Sequence, residues 1–397
     1  MQRLLTLLSA AATLACSAGR DDARADTAVV TTSPGTVEST GADRAAVPAA
    51  DTSAYPVVRG LYLNRFAAQS ARKMRHLLAI ADSTEINAFV LDMKDEFGLN
   101  YVSSNPVVRK YAGDTHGVVR NVRALVDTIK AHGLLPIARI VAFKDPVAAR
   151  LNESWTIKRE DGSVWLDKEN LAWVSPYHPE VWEYNLDVAE ELVSLGFAEI
   201  QWDYIRFPEP YQSLPKQVFP GATLSKPMAL ARFLELARER LSGPGVRSTA
   251  DIFGLVTSVR GPLEVGQEWE KLSPVTDVLL PMVYPSHYPR GAFGVARPNA
   301  EPYTIVKTAI GAARARDEAL GITRKEHVRP WIQAFSIGTP EYGAEQIEQQ
   351  KRAIYDAGYG GWILWHPGSN YDVFVPGLAR VKPCRFTFAG SGSGTCN

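Results

Sequence analysis

Five acidic side chains fall at the ends of apolar runs, where a parallel α/β sheet presents groups to ligands. The segment from Phe197 to Pro208 reads as a buried strand that follows a helix closed at Gly196; it ends on Asp203, with Arg206 beside it and Pro208 stopping it. Asp251 closes the next run, and Asp92, Asp95 and Glu96 cluster at the end of an earlier one. Paired carboxyl groups of unlike protonation can cleave a glycosidic bond, one acting as nucleophile or base and the other as acid. Asp203 is the first candidate for the charged member, with Arg206 close enough in sequence to hold it ionised. Asp251 is the nearest candidate acid, and Asp92 and Asp95 are the alternatives reaching across from the other side. A neighbouring-strand pair favours retention through a covalent intermediate. The plainer reading of Asp92 is a structural ion pair with Lys94 or Arg139.

Other chemistries find less support. No Gly-x-Ser-x-Gly elbow occurs, the cysteines lie outside the apolar runs, and the seven histidines show neither His-x-His nor His-Glu-x-x-His spacing. No cofactor is expected; Asp92, Asp251 and His366 are the set that would have to meet around a metal. Nine tryptophans, several of them in loops or at strand ends, suit the apolar faces of sugar rings, while acids, Arg and Gln suit the hydroxyls. Carbohydrate is therefore the expected ligand, contacted by Glu96, Lys94, Arg139, Arg206, Tyr284, Trp365, His366, Gln333 and Trp173. Trp202, Trp331 and Trp362 are read instead as packing between strands and helices.

The elements that must position these groups alternate regularly. Strands are predicted at 59–63, 88–93, 135–143, 198–204, 248–254, 277–284, 329–335 and 361–366, and helices at 70–81, 119–131, 179–195, 226–241, 302–320 and 343–357. Gly133, Gly196, Gly243, Gly321 and Gly358 stand where helices should stop. Eight such units without a Gly-rich phosphate loop predict a single-domain (β/α)8 TIM barrel over residues 55–380. Its chemistry would sit in the loops after the strands, including a long excursion from Lys144 to about His178.

Lys plus Arg equals Asp plus Glu, 43 of each, so no net field draws the chain to nucleic acid. Arg3 followed by a short apolar run reads as a signal peptide over 1–15, too short to span a bilayer. Thr13-Leu14-Ala15-Cys16 resembles a lipobox, with Thr13 where leucine is usual, so Cys16 is the expected lipidation site and the expected location is the cell envelope, anchored to a membrane by lipid. Residues 16–54, poor in aromatics, read as a flexible linker. The two remaining cysteines, Cys384 and Cys396, are expected to form a disulfide in the tail, 381–397. A monomer is expected.

Four stretches carry a family resemblance: Leu91 to Asp95, Pro136 to Pro146, Glu199 to Pro208 and Ala250 to Gly254. Over about Val58 to Ala379 the chain resembles the bacterial family of putative glycosyl hydrolase domains, which implies a TIM-type barrel among the barrel glycosidases. A looser similarity to family 18 chitinases rests on Asp203-Tyr204, Met282-Val283-Tyr284 and Gly361 to Trp365. The chitinase Asp-x-x-Asp-x-Asp-x-Glu run is absent, so its substrate-assisted mechanism is not carried over. Two alternatives to a glycosidase stand beside it: a non-catalytic glycan-binding barrel, and a hydrolase of a non-glycosidic bond, such as a polysaccharide deacetylase.

Overall fold

The computed structural model describes residues 55–113, 117–388 and 394–396. The expected leader, Cys16 and the linker before Tyr55 lie outside the described residues. Eight parallel strands form the barrel: β1 (Arg59–Leu63), β2 (Ala88–Asp95), β3 (Leu135–Val141), β4 (Glu199–Asp203), β5 (Arg247–Phe253), β6 (Val278–Val283), β7 (Trp331–Gln333) and β8 (Trp362–Trp365). Each pairs with its neighbour in chain order, and β1 bonds both β2 and β8, which closes the ring. Gly98–Leu99 folds back antiparallel on the end of β2.

A helix follows each of the first seven strands: α1 (Ala71–Asp82), α2 (Val122–Ala131), α3 (Pro179–Ser194), α4 (Lys226–Ser242), α5 (Trp269–Leu272), α6 (Pro302–Ala319) and α7 (Ala344–Asp356). Side-chain caps and prolines set their starts. Ser70 accepts from the Lys73 N–H, Asn121 accepts from the Ala124 N–H, and proline occupies the first turn of α3, α4 and α6. The Asn121 cap is why α2 begins later than the apolar periodicity suggests. Gly243 does not close α4 in a left-handed turn as expected: its φ is −57°, and the reversal comes two residues later at Gly245, with φ 70°. Among the described residues, no helix is long and apolar enough to cross a membrane.

The strands are buried on both faces, so they separate two apolar layers. Inside the barrel lie Val90, Ile137, Leu280, Tyr62, Trp331 and Phe335; outside it, Trp202, Trp269 and Trp362 pack with the helices. Below the aromatic layer, Glu199 is fully buried and bonds Arg329 at 2.6 Å and Arg247 at 3.0 Å. Burial alone would raise its carboxyl, but the two guanidinium groups hold it below the ordinary range. The tail returns to the barrel through Phe386, which is 2% exposed in the interior cluster, and Cys384 and Cys396 are joined as a disulfide with Cα atoms 5.4 Å apart.

Candidate active site

Alternation along neighbouring strands turns Asp92 of β2, Arg139 of β3, Gln201 and Asp203 of β4, and Asp251 of β5 toward the barrel axis. The Arg139 guanidinium gathers the three carboxyl groups. Its Nη1 meets Asp92 at 2.5 Å, its Nη2 meets Asp203, and its Nε lies 3.6 Å from Asp251. Each acid has further partners of its own. The Tyr62 hydroxyl donates to Asp92, and the Tyr204 N–H donates to Asp203 Oδ1 at 2.5 Å. Asp251 Oδ1 accepts from Trp331 Nε1 at 2.6 Å and from Gln201 Nε2 at 2.8 Å, while its buried Oδ2 has no hydrogen-bond partner.

These surroundings raise the proton affinity of two of the acids. Burial, and then the charge of Asp203, push the Asp251 carboxyl well above the ordinary carboxylate range. Asp92 is also raised by burial, against the pull of Arg139. Arg139 itself is desolvated, yet Asp203 and Asp92 hold its proton well above the usual guanidinium range. Asp203 is the most exposed of the three acids at 6%, against 4% for Asp92 and 1% for Asp251. It is therefore the one best presented at the mouth.

An aromatic wall adjoins this cluster. Trp365 is half-buried and lies 5.1 Å from the Phe335 ring, 5.7 Å from Tyr284 and 6.1 Å from Tyr62, stacked in the last case. Tyr62 links the two parts, since it bonds Asp92 and lies 5.6 Å from the Arg139 guanidinium. Carboxyl groups beside aromatic faces suit a pyranose, with the faces receiving its C–H side and the charged groups its oxygens.

Residues 60–371 match the model of the family described as "Putative glycosyl hydrolase domain". The chain belongs to this family. A hypothetical protein from Ruminiclostridium thermocellum is 36% identical over 48% of this chain and 96% of its own, with a TM-score of 0.44. The glycoside hydrolase domain of PgaB (BpsB) from Bordetella bronchiseptica covers 79% of this chain and 95% of its own at 15% identity, with a TM-score of 0.54. A chitobiase from Flavobacterium johnsoniae covers 82% of this chain and 48% of its own at 10% identity and a TM-score of 0.52. The last two likenesses establish the barrel fold. No curated protein matches the chain.

Within this glycosyl hydrolase-like domain, several expected ligand contacts have other work. Lys94 does not face the mouth: it is fully buried, donates to the Val141 carbonyl at 2.6 Å, pairs with Asp145 at 2.7 Å and lies over the Tyr184 ring of α3. The register of β2 shifts between Asp92 and Lys94, so the strict alternation that would place both on one face breaks there. Arg206 pairs with Glu209 at 2.9 Å rather than with Asp203, whose cation is Arg139. Trp173 is 1% exposed, with its Nε1 donating to Asp167 at 2.8 Å, and so is not a contact surface. Gln333, also fully buried, accepts from the Ser286 N–H at 3.0 Å and donates to the Phe335 carbonyl at 3.0 Å.

Glu96 is half-buried, and its charge acts on both Asp92 and Asp95, which places it beside the cluster. His366 is half-buried and accepts from the Gly368 N–H at 3.0 Å, shaping the loop after β8. Among the described residues, no three His, Cys, Asp or Glu side chains are grouped to hold a metal ion. Asp92 and Asp251 converge, but on a guanidinium. Sequence reasoning overlooked Tyr62 and Gln201, and it placed Trp331 against the helices, whereas its Nε1 points inward to Asp251. Parity was the available signal: Trp331 and Gln333 share one face of β7, and Ile332 takes the other.

Proposed function

We propose that this chain hydrolyses glycosidic bonds in a polysaccharide or cell-surface glycan, with Asp203 as the charged carboxylate and Asp251 as the proton donor. The observation that carries the reading is Arg139, which draws acids of unlike environment onto one guanidinium at the barrel mouth. The separation of the two carboxyl groups decides the stereochemistry: at about 5.5 Å it implies retention through a covalent intermediate, and at roughly 6.5 to 9.5 Å inversion through a water molecule. Asp203, which accepts from a guanidinium and a backbone N–H, is the carboxyl group assigned to meet an oxocarbenium-like centre. Asp251 Oδ2, which lies 3.6 Å from Arg139 Nε and accepts no hydrogen bond, is the atom assigned the proton in this reading. Asp92, shared between Tyr62 and Arg139, orients that guanidinium, and the Trp365 wall holds the sugar. Export and lipid attachment at Cys16, giving a membrane-anchored envelope protein that acts as a monomer, complete the proposal.

The test is release of reducing ends by the purified protein from a panel of bacterial and plant polysaccharides. Asp203→Asn should lower turnover by about 100- to 10,000-fold while leaving glycan retention in affinity electrophoresis unchanged. Wild-type protein that retains glycan without cleaving it would establish the non-catalytic binding barrel instead. Acetate released without new reducing ends would establish a deacetylase.

A further inference from the structure

The residue after Asp203 has a backbone conformation that a bulky side chain rarely adopts. Tyr204 has φ 51°, in the left-handed region, immediately beyond the end of β4. Such a geometry persists only where the surroundings over-determine it. The ring is held from several sides: the Arg206 guanidinium lies 4.8 Å from its centroid, the Lys144 ammonium 5.2 Å, and Trp173 meets it edge-on at 5.6 Å.

Two of these three neighbours belong to the long excursion after β3, and that excursion is itself fastened. Lys144 pairs with Glu169 at 2.7 Å. Asp167 accepts from Trp173 Nε1 at 2.8 Å and from the N–H groups of Glu169 and Leu171, both at 2.9 Å. The excursion also ties back to the end of β3, where the Val174 N–H donates to the Phe143 carbonyl at 3.1 Å, and just before it the Ala142 N–H donates to the Asp203 carbonyl at 2.8 Å. With the ring and the onward chain fixed, the peptide plane between Asp203 and Tyr204 is fixed too, and its N–H meets Asp203 Oδ1.

We propose that Tyr204 is a positioning residue: the excursion after β3 clamps its ring, the clamp holds the left-handed turn, and the turn aims the Asp203 carboxylate into the mouth. This explains why Trp173 and Arg206, expected to touch sugar, are instead packed on Tyr204. The kinetic consequence rests on the glycosidase reading; the structural one does not.

Tyr204→Gly relieves the backbone and keeps the N–H but removes the ring, while Trp173→Ala removes one wall of the clamp. Both should lower kcat by about 10- to 100-fold, as misplacement of a reacting group does, with KM little changed. The conservative Tyr204→Phe, which keeps the ring, should restore turnover. Crystal structures of the two clamp variants should show Asp203 Oδ1 beyond about 3.5 Å from the residue 204 nitrogen. Tyr204→Asn, also tolerant of a left-handed backbone, replaces the glycine variant if that one does not fold. The proposal is overturned if either clamp variant keeps this bond in its crystal structure, or if both keep wild-type kcat. If the wild-type protein cleaves no glycan, the glycosidase reading falls, and the crystallographic comparison alone decides the clamp.

Discussion

At Asp95 a buried carboxyl, an ion pair with Arg65 and two neighbouring acids meet in one side chain. Burial first, and then the charge of Asp92, push its proton affinity up from an ordinary 3.8 to about 7 against the pull of Arg65. The folded chain therefore binds this proton more tightly than the unfolded chain does. Its contribution to stability grows as pH falls from about 7 toward 3.8 and is absent above that window. The difference in unfolding free energy between wild type and Asp95→Asn should thus favour wild type more at pH 5 than at pH 8, as measured by urea unfolding at the two values. An equal difference at both values would show that Asp95 does not take up a proton on folding. The candidate acids themselves were legible from strand ends and parity. Their common partner was not, because Arg139 lies 64 positions from Asp203 in the chain, and nothing local favours it over Arg206.

Among the elements, the junction after β5 is closely packed backbone against backbone. A Cβ added at Gly254 would collide with the Met282 carbonyl and lie 2.8 Å from the Tyr288 hydroxyl. The Met282 backbone cannot yield easily, since it is paired in register with Phe253. Gly254→Ala should destabilise the barrel by about 1 to 3 kcal/mol, as overpacking does, and a thermal midpoint equal to wild type would refute the contact. All eight strands and six of the seven ring helices were readable from periodicity. One-turn α5 and the short helices Arg65–Gln69, Pro106–Ala112 and Pro146–Leu151 were not, because four to seven residues show at most two turns of a helical pattern. The register shift in β2 was invisible for a related reason: alternation carries no mark of where a strand will slip, and Lys94 was misplaced by it.

For the whole molecule, the proposed anchoring is open to direct measurement. If Cys16 carries lipid, mature protein should partition into the detergent phase, and Cys16→Ser should move it to the aqueous phase; identical partitioning would end the proposal. The barrel interior raises a different point, about the chain's balance of charge. The lower cluster of Glu199, Arg247 and Arg329 and the upper cluster of Asp92, Arg139, Asp203 and Asp251 together hold four carboxyl groups and three guanidinium groups. Fully ionised, this set of seven groups sums to one negative charge, and burial in a medium of low polarisability penalises any such excess. A single proton makes it neutral. Burial and the charge of Asp203 favour Asp251 as its holder, so the proton that lets these seven side chains be buried together is the one the proposed mechanism would transfer.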